Sequence, residues 1–207
     1  MKRKISALLA ALLLGGILSG CGASGGTAQT DAGMQLTPVT TVEDPEDAAK
    51  LVTLSPEDCV LGEYTVDDNL HAVILQRYTL DDNLSWAVDD SWSPGMYDPE
   101  KALNSSGSLA LFCQPDGTLS LSVAEDGGTA VTFFLPDDTP AGLEGIGIPT
   151  KTAEIAYGEE IPLLIRTITN PSNATPFTAD DFADPSRFEG NLFTEAYTVT
   201  FSDTAPE

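Results

Sequence analysis

The sequence predicts an all-β fold, a single antiparallel β-sandwich, with a closed barrel as the alternative. Three observations carry this prediction: short apolar segments of strand length recur along the chain, turn-forming residues separate them, and no long amphipathic helical pattern is present. Apolar residues make up 42% of the chain, which is enough for a packed core. We place the sandwich domain at residues 44–207.

The first strands are predicted around a repeated motif. The heptapeptide YTVDDNL at residues 64–70 recurs as YTLDDNL at 78–84, and the intervening residues 72–78 carry apolar side chains on both faces, as a central strand does. Asp and Asn favour turns because their side chains bond the nearby backbone. We therefore predict a three-strand meander with a tight turn at each Asp-Asp-Asn, residues 67–69 and 81–83.

Further strands are predicted towards the C-terminus. Residues 108–114 and 118–124 form a hairpin around Pro115-Asp116-Gly117, because apolar and polar residues alternate in the second arm. Three more strands are predicted at residues 130–135, 161–168 and 196–202. In the last of them, the alternation predicts three buried side chains, Tyr197, Val199 and Phe201, and two exposed ones, Thr198 and Thr200.

Helical signals are short. A capping residue precedes a proline at Asp44-Pro45, Ser55-Pro56 and Asp98-Pro99, and Thr178 precedes another short helix start. Residues 154–172, EIAYGEEIPLLIRTITNPS, resemble the strand-turn pattern of bacterial immunoglobulin-like modules. This resemblance implies that the sandwich is immunoglobulin-like or related to that fold.

The N-terminal segment has the four parts of an export signal in order. Residues 2–4 are basic, residues 5–18 form an uncharged apolar run, and small residues precede Cys21 in the sequence LSGC. This segment resembles the signal peptide and lipobox of bacterial lipoproteins. The resemblance implies that residues 1–20 are removed and that Cys21 is acylated, which anchors the protein on the extracytoplasmic face of a bacterial cell membrane. The alternative is an ordinary secretory signal with a chance cysteine.

The residues after Cys21 are predicted to form a linker. Residues 22–43 are rich in Gly, Ala, Ser and Thr and have no apolar periodicity. Such a chain is a flexible coil with a reach on the order of 25 Å. We therefore assign residues 21–43 to the lipidated cysteine and a linker that lets the folded domain clear the lipid surface.

The chain is strongly acidic. Its formal net charge is −23, and because residues 1–20 hold three of its basic residues, the remainder carries −26. Such a surface repels nucleic acid and anionic lipid headgroups. We therefore exclude nucleic acid as a partner, and we expect contact with the membrane only through the Cys21 lipid.

The sequence offers little catalytic chemistry. His71 is its only histidine, so no Ser-His-Asp arrangement is proposed, and no zinc, phosphate-binding or dinucleotide motif is present. Adjacent carboxylates recur at residues 67–68, 81–82, 89–90, 137–138 and 180–181. None has the spacing of a calcium loop, and we interpret them as solvated turns. No catalytic residue, metal site or cofactor is predicted.

Two cysteines, Cys59 and Cys113, lie within the predicted domain. Export makes a disulfide between them chemically permissible. The alternative is that each is a small buried apolar residue. A catalytic thiol is disfavoured, because it would need a basic partner and His71 is the only histidine.

One long connection is the candidate binding site. Residues 89–107 are long for a loop in a compact domain, and such loops are usually functional or disordered. The loop carries Trp92, Met96 and Tyr97, which can stack on a sugar or anchor a protein partner. The alternative, which we favour, is that they fold back as a cover over one open end of the sandwich.

Three functions are compatible with these observations. The first is a non-catalytic binding or accessory module for a protein or glycan, the second is a small cell-wall or polysaccharide hydrolase, and the third is a structural component of an envelope assembly. The shortage of catalytic residue types disfavours the hydrolase. We therefore predict a non-enzymatic, membrane-anchored lipoprotein with an unidentified protein or glycan partner.

We expect that Cys21→Ser will release the protein from the membrane or block its processing, because the lipid is attached through the cysteine sulfur. Metabolic labelling with a palmitate analogue measures the attachment directly. Unchanged labelling of the Cys21→Ser variant would show that the lipobox interpretation is wrong.

Overall fold

The computed structural model describes residues 33–38, 59–113, 118–170, 172 and 174–206. These residues form two antiparallel sheets whose apolar faces pack together, so the predicted β-sandwich is confirmed. Cys21, the signal segment and the predicted helix starts at Asp44 and Ser55 lie outside the described residues. In the described part of the chain, no helix is long and apolar enough to cross a membrane.

The strands of the described residues follow one another along the chain. They are β1 (Gln35–Pro38), β2 (Cys59–Thr65), β3 (Ala72–Leu80), β4 (Trp86–Val88), β5 (Gly95–Tyr97), β6 (Ser106–Cys113), β7 (Leu119–Glu125), β8 (Ala130–Phe134), β9 (Leu143–Gly147), β10 (Ala153–Glu154), β11 (Glu160–Thr169) and β12 (Phe193–Ser202). The first sheet has the order β10-β1-β2-β6-β7-β8. The second has the order β4-β3-β12-β11-β9, and β5 also pairs with β3.

Several strand predictions agree with the structure. The predicted hairpin is formed by β6 and β7, whose register pairs Gly107 with Glu125 and Cys113 with Leu119. The next predicted strand is β8, which pairs with β7, and the two C-terminal predictions correspond to β11 and β12, which pair with each other. Apolar residues alternate with polar ones or form short runs of strand length in these segments, and such patterns predict strands.

The predicted meander is wrong at its first turn. β2 pairs with β1 and β6 in the first sheet, whereas β3 pairs with β12 in the second, so residues 66–71 cross between the sheets. The second motif is a hairpin turn between β3 and β4, as predicted. Both motifs make the same local bond, from the Asn69 amide to Asp67 and from the Asn83 amide to Asp81, each at 2.9 Å. This bond reverses the chain locally but does not select the strand that comes next.

Three smaller predictions also need correction. Gln35–Pro38 lies within the predicted linker but forms β1, in which Leu36 is buried; a four-residue strand is too short to show periodicity. Thr198 is fully buried rather than exposed, because it lies between its register partners Gln76 and Pro162 in the middle of the second sheet. Asp98 begins no helix, whereas a short 3-10 helix, Ala179–Ala183, does follow Thr178.

The sandwich has a core between its sheets and a second apolar layer outside the second sheet. The core contains fully buried side chains from both sheets, among them Tyr64, Leu75, Leu121, Leu163 and Phe201. The outer layer forms where residues 174–192, with the 3-10 helices Ala179–Ala183 and Pro185–Phe188, pack over Ile165 and Ala196. Trp86 stacks on Phe182 at a ring distance of 4.9 Å. Both faces of the second sheet are therefore covered.

One glycine is required by close packing in the first sheet. Gly107 in β6 pairs with Tyr64 in β2, and the Tyr64 ring lies directly against the Gly107 backbone. A Cβ atom at this position would overlap the Ala124 carbonyl oxygen and the Tyr64 hydroxyl group, and it would stand 2.6 Å from the Tyr64 Cζ atom. No side chain fits without movement of the backbone or of the buried ring.

We expect that Gly107→Ala will lower the free energy of unfolding by about 1–3 kcal/mol or more, because it overpacks a closed interior. Urea denaturation measures the change. Gly33→Ala is the matched control, since a Cβ atom at Gly33 would meet nothing within 4 Å. Equal stability of the two variants would contradict the packing of Tyr64 described above.

Candidate functional site

A charged cluster is buried in the second sheet. Glu195 on β12 is fully buried between Arg166 on β11, its register partner, and Arg77 on β3. The Arg77 Nε atom donates a hydrogen bond of 2.8 Å to Glu195 Oε2, and the Arg166 Nη1 atom donates one of 3.3 Å to Glu195 Oε1. Each carboxylate oxygen is therefore held by a different strand.

Further carboxylates extend this cluster to two loops. Arg77 also donates to Asp89 at 3.0 Å and to Asp138 at 2.5 Å, and Arg166 donates to Glu144 on β9. Asp89 starts the long loop after β4, and Asp138 lies in the connection between β8 and β9. The two guanidinium groups thus tie three neighbouring strands, β9 and two surface loops together.

The pKa values of this cluster reflect burial and pairing. Burial raises the pKa of the Glu195 carboxyl group, while Arg77 and Arg166 act in the opposite direction. Burial acts to lower the pKa of Arg77, but the hydrogen bond with Asp138 and the charge of Glu195 outweigh it and raise that pKa. Burial also acts to lower the pKa of Arg166, but the negative charge of Glu144 outweighs it and raises that pKa.

This cluster supports the fold rather than offering a reactive group. A general acid or base has to come within hydrogen-bond reach of a substrate. Glu195 is 0% exposed, and both of its carboxylate oxygens already accept hydrogen bonds from guanidinium groups. Sequence reasoning missed the cluster, although a signal was present: Arg77, Arg166 and Glu195 each place a charge inside a segment of strand length.

The three predicted binding-loop residues lie in different environments. Met96 on β5 is 4% exposed and belongs to the core, where it pairs with Val73. The Trp92 ring packs edge-on against Tyr197 at 5.1 Å, and its Nε1 atom donates a hydrogen bond of 3.0 Å to the Phe134 carbonyl oxygen. Tyr97 is 52% exposed. Trp92 and Met96 therefore cover the side of the sandwich between β5 and β8, which we call the open side. Tyr97 is the one of the three that faces solvent.

A cleft of about 160 Å³ opens on this side of the sandwich. It lies between β5 and the β7–β8 hairpin, at the margins of the two sheets. Its lining residues are Gly95, Met96, Tyr97, Asp98, Lys101, Leu103, Glu125, Thr129 and Val131. The lining therefore combines apolar side chains, one exposed aromatic ring and charged groups of both signs.

The polar groups of the cleft differ in rigidity. Glu125 accepts hydrogen bonds from the backbone amides of Asn104 at 2.6 Å and Thr129 at 3.4 Å, which fix its carboxylate. Lys101 is 74% exposed and lies 3.9 Å from Asp98, so its ammonium group is held only weakly. An exposed aromatic ring beside fixed acceptors can hold a sugar ring or a polypeptide segment.

The acidic turns serve the local backbone. Asp81 accepts hydrogen bonds from the amides of Asn83 and Ser85, and Asp67 accepts one of 2.6 Å from the Tyr157 hydroxyl group. Among the residues that the structure describes, no three His, Cys, Asp or Glu side chains come together in a way that would hold a metal ion.

The two cysteines of the domain lie on neighbouring strands. The register pairs Cys59 on β2 with Leu111 on β6, which places Cys113 two residues beyond the partner of Cys59. Whether a disulfide joins them stays a prediction.

Comparisons with known proteins identify no relative. No protein-family model matches the chain, and neither the curated proteins nor the solved structures contain a significant match.

We expect that Glu195→Gln will lower the free energy of unfolding by about 3–5 kcal/mol, because it leaves two buried guanidinium groups without their shared counter-charge. Urea denaturation is the measurement, since urea leaves ionic interactions unscreened. Lys151→Gln is the control: its exposed ion pair with Asp180 spans 3.9 Å, and its loss should change stability by less than about 1 kcal/mol. A Glu195→Gln variant as stable as the control would refute the supporting role of the cluster.

Trp92 and Tyr97 should respond differently to truncation. We expect Trp92→Ala to cost roughly 2–4 kcal/mol of stability, because it removes the contact with Tyr197 and one hydrogen bond between the sheets. Tyr97→Ala should stay within about 0.5 kcal/mol of the wild type, as an exposed position does. Chemical denaturation of the two single variants tests this division, and a large loss for Tyr97→Ala would contradict it.

Proposed function

We propose that this protein is a non-catalytic binding module, held on the extracytoplasmic face of a bacterial membrane by a lipid on Cys21. The observation that carries the proposal is the cleft between β5 and the β7–β8 hairpin. The exposed Tyr97 ring and the hydrogen-bonded carboxylate of Glu125 both line it. Binding sites commonly combine apolar surface with a few fixed polar groups. The partner is a protein or a glycan.

The construction of the cleft supports a binding role. The buried charge cluster and Trp92 hold the long loop against both sheets, so that Tyr97 is presented from a supported backbone. A rigid aromatic side chain gives a large contact area at a low entropic cost. The core is filled by Met96, the residue before Tyr97, and the Tyr97 ring is not part of it.

The acidic surface fits display at a membrane. The net charge of −23 disfavours adsorption to anionic lipids, so an anchored domain stays available to partners in solution. The lipid would then supply attachment, and the folded domain would supply recognition.

We expect Tyr97→Ala to abolish partner binding without changing stability, whereas Leu192→Ala should leave binding intact. Leu192 is the matched control because it is also exposed, at 51%, but lies outside the cleft. The measurement is a glycan array together with a pull-down, using the protein as the Cys21→Ser variant. Binding that survives Tyr97→Ala would place the site elsewhere, and turnover of a bound polysaccharide would favour a hydrolase instead.

A further inference from the structure

We propose that the free edge of β8 binds an extended, positively charged polypeptide segment, which would add a seventh strand to the first sheet. The inference rests on the proposed function, and it names the partner as a polypeptide rather than a glycan. Strand addition of this kind draws its affinity from main-chain hydrogen bonds and its specificity from alternate side chains.

The pairing of β8 determines which of its backbone groups are available. The Leu135 amide donates to the Leu119 carbonyl group at 2.9 Å, and the Glu125 amide donates to the Thr129 carbonyl group at 2.9 Å. In an antiparallel ladder, hydrogen-bonded pairs alternate with pairs whose backbone groups point away. The odd-numbered residues from 129 to 135 therefore bond to β7, and the even-numbered ones point outwards.

The outward-pointing residues are Ala130, Thr132 and Phe134, and the side chains of all three are exposed. The bond from Trp92 Nε1 supports this assignment, because it reaches the Phe134 carbonyl group from outside the sheet. Because that bond occupies the Phe134 carbonyl group, it ends the available stretch of backbone at the C-terminal end of β8. In the described residues, β8 pairs with β7 alone, so among these residues the outward-pointing amide and carbonyl groups of Ala130 and Thr132 have no strand partner.

The other sheet margins are better protected, and β4 and β5, at one of them, have only three residues each. β10, the opposite edge of the first sheet, has only two residues, and short edge strands resist further pairing. At β9 in the second sheet, the ring of Phe177 lies against Gly147, and the Ala179 amide bonds to the Ile148 carbonyl group. β8 itself contains neither a charged residue nor a proline, two of the features that usually protect an edge strand.

Charge selects the occupant of this edge. β8 itself is uncharged, but an exposed carboxylate lies on each side of it, Asp126 before the strand and Asp137 after it. The neighbouring Asp138 is already paired with Arg77. Two copies of a chain with a net charge of −23 would repel each other at this edge. A segment with an uncharged β-forming centre and basic residues at both ends would complement it. Five residues of strand span about 17 Å, which sets the separation of the basic ends.

The test uses the full chain and a defined peptide, acetyl-KKTVTVTKK-amide, with acetyl-EETVTVTEE-amide as the charge-reversed control. We expect saturable binding of the lysine peptide by fluorescence anisotropy, and binding of the glutamate peptide at least about tenfold weaker. Hydrogen exchange should slow in residues 129–135 when the lysine peptide is present. Absence of lysine-peptide binding, or binding without that protection, would overturn the proposal.

Two substitutions at one position separate the backbone from the side chain. Thr132→Pro removes an outward-facing amide, which an edge strand tolerates, and it should weaken binding at least about tenfold. Thr132→Val keeps the amide and should leave binding unchanged. If Thr132→Pro does not fold, the exchange experiment on the wild type still decides the question. Equal affinity of the two variants would refute strand addition.

The outcomes also distinguish this inference from the proposed function. A glycan ligand lost in Tyr97→Ala but retained in Thr132→Pro would support the cleft and overturn the strand-addition proposal. Sedimentation of the wild type tests a further occupant: a dimer that Thr132→Pro dissociates would show that a second copy takes the edge, and the basic partner would be excluded.

Discussion

The burial of Glu195 between two guanidinium groups is the constraint on which much of this structure depends. A buried carboxylate is costly unless it is paired and hydrogen-bonded, and its partners become equally costly if they lose it. Arg77, Glu195 and Arg166 lie on neighbouring strands of the second sheet, so a register shift in any of these strands would separate buried charges from one another. We infer that the cluster specifies the register of β3, β12 and β11 more than it adds net stability.

The same cluster determines the open side of the sandwich. Arg77 binds Asp89 at the start of the long loop, and backbone bonds join that segment to β3, including one of 2.9 Å from the Asp89 amide to the Arg77 carbonyl group. The loop then places Trp92 against Tyr197 and against the end of β8. The position of the loop that carries Tyr97, beside the end of β8, therefore depends in part on this buried interaction.

Sequence reasoning predicted the fold class because apolar alternation is a local property, and it located β6, β7, β8, β11 and β12 well. It predicted hairpins but not the crossing between the sheets, since both Asp-Asp-Asn motifs make the same Asp-to-Asn bond, while the first joins β2 to the other sheet and the second joins β3 to its neighbour β4. It missed the charge cluster because Arg77 and Glu195 are 118 residues apart in the sequence. It grouped Trp92, Met96 and Tyr97 by proximity, although the two-residue period of β5 sends Met96 inwards and Tyr97 outwards.

The chain has two tryptophans, and the structure places them in separate layers. Trp86 lies outside the second sheet, stacked on Phe182, while Trp92 closes the open side beside Tyr197. Each indole therefore has a different aromatic neighbour in the folded protein. Each would become more exposed to solvent when the layer that contains it comes apart. Replacing either one with phenylalanine would leave a single tryptophan, so selectively excited tryptophan emission could follow the loosening of the outer layer or of the open side without any added label.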